Sequence, residues 1–447
     1  MQIDTGDTAW VLASAALVMF MVPGLALFYG GLVRAKNVLG TVMQSLIALG
    51  VVSVLWVLVG YSLAFGSDHG VLGGLGQLGL RGVGDEPNAL APTVPASAFM
   101  VFQLMFAVIT PALITGAFAE RMRFGGYLLF LGLWSVLVYA PVAHWVWGGG
   151  FLGASGVGAL DFAGGTVVHV NAGAAALAAA LYLGRRRGFG TGALRPHNVP
   201  MVLLGVGILW FGWFGFNAGS ALSAGGLASS AFVATHLGAA GGMLGWLVPE
   251  RIHHRRATTI GAATGAVAGL VAITPASGYV APMPALAIGL AAGVLCFIAV
   301  ELKTRLSLDD SLDVVGVHLV GGIVGALLTG VFASLVVNPA GADGSVAQVG
   351  RQAVAVAITL AFSFVATMVI LRVVDRLVGL RVSPDVEEEG LDRALHGETA
   401  YTWSHRTDGS RTAPFDPDEE LARLREQMVA EATRRTIQAL TPPDPLD

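Results

Sequence analysis

Charge is what this chain has least of. Only 12% of its 447 residues are Asp, Glu, Lys or Arg, against 55% hydrophobic, whereas soluble domains carry roughly 25% charged residues. The balance of 25 basic and 29 acidic residues gives −4, which excludes the basic face that nucleic acid requires. There is one cysteine, Cys296. No disulfide within the chain, thiolate zinc site or Cys pair can form. The opening MQIDTGDTAW holds Asp4 and Asp7 but no Lys or Arg. The first apolar run therefore lacks the positive start of a signal peptide and reads as a retained helix. HExxH and GxSxG are absent, so neither a zincin nor a nucleophile elbow supports an enzyme. TVGYG is absent too, which removes a potassium filter.

What is present is long apolar runs and 61 glycines among Ala, Ser and Thr, the composition of closely packed membrane helices. A helix crosses the hydrocarbon core with roughly 20 apolar residues. The chain predicts eleven such spans, near 8–32, 38–65, 97–119, 124–147, 163–184, 199–220, 228–249, 258–274, 283–301, 312–336 and 349–371. Those at 163–184 and 258–274 are weakest, being rich in Gly and Ala.

Alternate loops hold Arg34, Lys36, Arg121, Arg123, Arg185, Arg186, Arg187, Arg195, Arg251, Arg255, Arg256, Lys303 and Arg305, and the other set holds only Arg81 and Arg351. Basic residues stay in the cytoplasm, so the N-terminus is expected outside and the C-terminus inside. The membrane part is expected over 1–376 and a cytoplasmic tail over 377–447, where Glu387, Glu388, Glu389 and several prolines appear. Segment 418–440 fits an amphipathic helix with Leu421, Leu424 and Met428 on one face, or a solvated end.

Two segments repeat. Asp161-Phe-Ala-Gly-Gly-Thr-Val-Val-His169 and Asp310-Ser-Leu-Asp-Val-Val-Gly-Val-His318 each place an Asp eight residues before a His that follows Val. Five spans separate them, so they enter the membrane in opposite senses, as inverted transporter repeats do. Ionisable groups inside spans cost roughly 2.5–3.5 kcal/mol or more, so they mark function or a buried partner. His169 and His318 therefore read as the lining of a polar file, or as core histidines satisfied by backbone or by each other. Asp161 reads as a helix N-cap, as a charge facing an entering cation, or as both. Phe102, Phe106, Trp145, Trp147, Trp213 and Phe216 cluster at the outer ends, either as a membrane belt or as aromatic faces for a cation, with Ser220 offering a hydroxyl. Gly74-Leu-Gly76-Gln-Leu-Gly79 fits GxGxxG, but no strand–helix unit surrounds it. His253 and His254 beside Arg255 and Arg256 read as a solvated charge run rather than a metal site, and no resident metal or cofactor is expected.

The motifs MFMVPGLALFYGGLVRAKN at 19–37, FQLMFAVITPALITGAFAERMRF at 102–124, AHWVWGGG at 143–150, ALDFAGGTVVHVNAG at 159–173, GWFGFNAGS at 212–220, DVVGVHLVGGIVG at 313–325 and GLRVSPDVEEEGLDRALHGETAY at 379–401 resemble the ammonium transporter, methylammonium permease and Rhesus family. The resemblance implies an all-α protein of the plasma membrane, a homotrimer in which each subunit has its own pore. It implies eleven spans, built as two inverted five-helix halves plus a last helix. It places ammonium recruitment at Trp147, Ser220 and Phe106, with Asp161 supporting recruitment or deprotonation, a gate of Phe106 and Phe216, and a pore lined by His169 and His318 with Trp213 in the wall. The tail motif is similar to one that couples subunits, often with a PII-type signalling protein at the cytoplasmic face. Leu312 departs from some bacterial relatives, which carry cysteine there, and nothing carries over to 402–447. A transporter-like ammonium receptor signalling through its tail is the alternative.

Overall fold

The computed structural model describes residues 2–67, 70–191, 194–401, 421–422 and 425–433. Among them, ten helices are long and apolar enough to cross a bilayer: α1 Thr5–Leu32, α2 Ala35–Phe65, α3 Ala96–Phe118, α4 Phe124–Val146, α5 Gly165–Leu183, α6 Val199–Ala221, α7 Gly226–His254, α9 Pro282–Lys303, α10 Val315–Phe332 and α11 Val346–Val378. A shorter apolar helix, α8 Thr259–Ile273, lies between α7 and α9 in sequence. Its 15 residues rise only about 22 Å, and nearly all of them are buried. The chain is a multi-pass membrane protein.

Polar caps set several helix starts, because the first N–H groups of a helix have no partner within it. Asp4 accepts from Asp7 N at 2.9 Å, Asn198 from Met201 N at 3.0 Å, and Ser345 from Gln348 N at 3.0 Å. Small residues let the helices touch. A Cβ at Gly242 would strike the backbone of Gly265 and Gly269, and one at Gly205 the backbone of Phe28. Outward faces carry Leu58, Leu204, Phe211, Val248, Val354 and Val369 exposed, an apolar jacket that suits lipid.

Helix α11 overruns the apolar run at 349–371 in both directions, so the expected tail boundary at 376/377 falls inside it. After it come α12 Pro384–Glu389 and α13 Leu391–His396. Residues Met1–Gly397 form one compact unit, and Glu398–Asp447 form another. In the second unit, 421–422 and 425–433 are helical, with Leu421 and Met428 exposed. Leu424 lies outside the described residues.

Candidate functional site

A cavity of about 390 Å³ opens at one end of the bundle, lined by Phe99, Gln103, Phe106, Trp147, Asp161, Ser220 and Tyr279, among others. The Trp147 indole N–H donates to the Asp161 carbonyl at 2.9 Å, which fixes the ring and leaves its face for a cation. Ser220 Oγ donates to the Phe216 carbonyl at 2.8 Å, so its lone pairs remain available as acceptors. Phe106 meets Trp147 edge-on, with centroids 5.8 Å apart. It then lies 4.3 Å from the Phe216 ring. These two phenylalanines separate the mouth from a constriction of about 10 Å³ lined by His169, His318, Trp213, Phe216, Leu25 and Val267.

Both histidines sit on π turns. Gly165–Val170 opens α5 and Val315–Leu319 opens α10, each widened by an i→i+5 pattern. The aspartates eight residues upstream cap these turns. Asp161 accepts from the amides of Gly164, Gly165, Thr166 and Val167 at 2.7–3.1 Å. Asp310 accepts from Val314 at 3.1 Å and Val315 at 2.7 Å. Each carboxylate is thus engaged by backbone amides at the head of its turn. The two turns cross where glycine removes side-chain bulk. A Cβ at Gly173, four residues past His169, would strike the backbone of Leu319. One at Gly322, four past His318, would press on Val170.

The crossing brings His169 Nδ1 to 3.2 Å from His318 Nδ1, with the rings nearly parallel at 25°. His169 also stacks on Trp213 at 5.5 Å, whose N–H is held by Thr274 Oγ1 at 2.8 Å. Two facing Nδ1 atoms can share one proton only if one donates and the other accepts. For neutral rings, one Nε2 is then bare and the other carries hydrogen. His169 Nε2 has no hydrogen-bond partner among the described residues. Beyond His318 a further cavity of about 40 Å³, lined by Phe28, Tyr29, Leu32, Leu312 and Asp313, leads towards the basic loops.

A sequence profile of the Ammonium Transporter Family matches residues 9–401. The chain belongs to that family. The ammonium transporter of Bacillus subtilis is 50% identical over 401 residues, covering 89% of this chain and 98% of its own. That of Mycobacterium tuberculosis is 49% identical over 435 residues, covering 90% and 91%. The crystal structure of Saccharomyces cerevisiae Mep2 superposes with a TM-score of 0.83 at 38% identity over 93% of this chain and 95% of that one. A solved structure named Sensor Amt Protein gives 0.80 at 32% identity over 88% and 98%.

In this member of the family, Phe106, Phe216, Trp213, His169 and His318 converge on one axis, with Trp147 and Ser220 at its mouth. Residue patterns did not reveal the ion cluster at the opposite end. Glu120, just past the end of α3, is buried against Arg186 at 2.8 Å and Arg34 at 3.1 Å. Arg186 forks onto Asp309 at 2.8 Å through Nη2 and 3.0 Å through Nε. Burial is the largest influence and would raise both carboxyls, but Arg186 and Arg34 with the Asn37 hydrogen bond at Glu120, and Arg186 and Arg121 at Asp309, together hold them below their usual range. The same cluster seats the proximal tail. Asn37 donates to Glu120 at 2.9 Å and accepts from Leu391 N at 2.8 Å. Glu387 bridges Arg187 N and Arg381, and Asp392 accepts from Gly40 N at 2.8 Å.

Proposed function

We propose that this family member moves ammonium nitrogen across the membrane by capturing ammonium at the Trp147 mouth, removing a proton and passing ammonia along the histidine pair. The observation that carries the reading is the unbroken series Trp147–Phe106–Phe216–His169–His318, with neighbouring centroids 4.3–6.1 Å apart. Ammonium and potassium are alike in size and charge, so a filter based on size cannot part them. A dry file can, because a bare cation inside it loses its hydration. Ammonium, unlike potassium, can leave its proton behind.

At the mouth, the Trp147 face and the Ser220 oxygen offer what an ammonium ion needs as it sheds water. Asp161 acts as a positioning residue that holds the π turn under His169. A proton taken up at a bare Nε2 can shift across the shared Nδ1 contact and leave from the other ring's Nε2–H, reversing which ring donates. That route carries charge. Return of the proton to water at the mouth carries none.

In this reading α8 completes eleven spans, since it is sheathed by protein and need not match the bilayer by itself. The opposed Asp–His repeats make two inverted five-helix halves, with the basic loops and the C-terminus in the cytoplasm. Residues 1–376 are the transport body and 377–447 the regulatory tail. The apolar flanks suit a homotrimer, and the proximal tail, whose Arg381, Glu387, Leu391 and Asp392 are seated on the basic face, suits regulation there, including by a PII-type protein.

Cells carrying the chain are expected to accumulate labelled methylammonium, with ammonium competing and potassium not. No uptake by a correctly inserted protein would sink transport. It would favour the second reading, a receptor, which the likeness to Sensor Amt Protein supports.

A further inference from the structure

Helix α7 ends at His253 and His254, where Arg255 turns the chain at φ +62°. Glu301, on α9, comes up beside them. His254 Nε2 lies 2.9 Å from Glu301 Oε1 and His253 Nε2 lies 3.6 Å from Glu301 Oε2. The three ligand atoms all fall within 4.8 Å of one another. Sequence order hid this set, because Glu301 is 47 residues from His254.

We propose that His253, His254 and Glu301 form a binding site for a borderline divalent cation of the zinc class, clipping the end of α7 to α9. A hydrogen-bonded surface pair would need only one of the two rings. Here the second Nε2 also converges on the carboxylate, at a distance too long for a hydrogen bond. Zinc bonds to nitrogen or oxygen of about 2.0–2.2 Å place tetrahedral ligands about 3.4 Å apart, so small rotations of exposed side chains complete the set. Phe297, one turn before Glu301, packs edge-on against both imidazoles, at 6.3 Å and 5.9 Å, and limits their rotation.

Two imidazoles and one carboxylate give a site of charge −1 without thiolate, which suits zinc, nickel or copper(II) over magnesium or calcium. The neighbouring Arg251, Arg255 and Arg256 oppose a cation, but Arg251 is turned to the Arg255 carbonyl and exposed charges are screened by salt. The position that the three ligands leave open is accessible to water, since both rings are exposed.

The test uses the full chain, purified without a polyhistidine tag, stripped with chelator and dialysed against zinc chloride. One zinc per chain is expected, with a rise in melting temperature. His253→Ala/His254→Ala should abolish both, and Glu301→Gln, which keeps a hydrogen-bond acceptor but loses the charge, should weaken binding about tenfold or more. Equal binding by the double variant, or none by the wild type, would overturn the site.

Discussion

At the scale of single residues, the mouth and the histidine pair make separable demands. Losing the Trp147 face removes about 0.5–2 kcal/mol of cation–π attraction. Trp147→Leu is therefore expected to raise the half-saturating methylammonium concentration roughly 2–30-fold with little change in maximal rate. A fall in maximal rate alone would place Trp147 in the conduction step instead. The shared proton between His169 and His318 gives a different signature. In proteoliposomes under an ammonium gradient, current that His169→Ala loses while ammonia flux continues would show a relay along the pair, and no current in the wild type would show return of the proton at the mouth. Unaltered current and flux in both His169→Ala and His318→Ala would remove the pair from the mechanism.

The histidines were legible because the repeat marks them twice and because ionisable groups are rare inside spans. Their contact was among the readings and is met at 3.2 Å, but the geometry that makes it was not legible. It depends on two π turns and on the crossing at Gly173 and Gly322, and no side-chain period announces either. Asp161 was open to a capping role, a cation-facing role or both, and its four amide partners show the cap.

At the scale of elements, those caps hold broken helix ends inside the membrane, where orphan N–H groups are costly. Asp161→Ala leaves four amides without their acceptor. It should destabilise the protein by about 2 kcal/mol or more and lower its melting temperature in detergent, with Asp161→Asn milder. Equal stability of the alanine variant and the wild type would contradict the capping role. The spans themselves were largely legible, since hydropathy runs and loop charge report what lipid and water each tolerate. Two departures have physical causes. Helix α8 is surrounded by protein and needs no full-length apolar run, while α11 continues past its apolar run with Arg372, Asp375 and Arg376.

At the scale of the whole molecule, the buried Glu120–Arg186–Asp309 cluster ties helix ends to the proximal tail. Its members lie 66 and 123 residues apart, so no local pattern joins them. Breaking a buried pair costs about 3–5 kcal/mol, and Glu120→Gln should loosen residues 380–397, read as faster amide exchange there. The sign with pH follows from Glu120 titrating below its usual range against Arg186 and Arg34. Its contribution is complete above about pH 4.3 and is lost as pH falls through the lower folded value. The gap in melting temperature between wild type and Glu120→Gln should hold from about pH 8 to 5 and close below about pH 4. A gap unchanged at acid pH would contradict the ion-pair account.

The central claim is that nitrogen passes the dry file without its charge, and potassium tests this because it is an ammonium-sized cation that has no proton to lose. Proteoliposomes given equal inward gradients of labelled methylammonium and of rubidium, as potassium tracer, measure the ratio directly. The account predicts that methylammonium enters about 60–300-fold faster or more, the ratio that roughly 2.5–3.5 kcal/mol of intramembrane charge cost implies. Comparable rates for the two would mean that intact cations cross, and would contradict it.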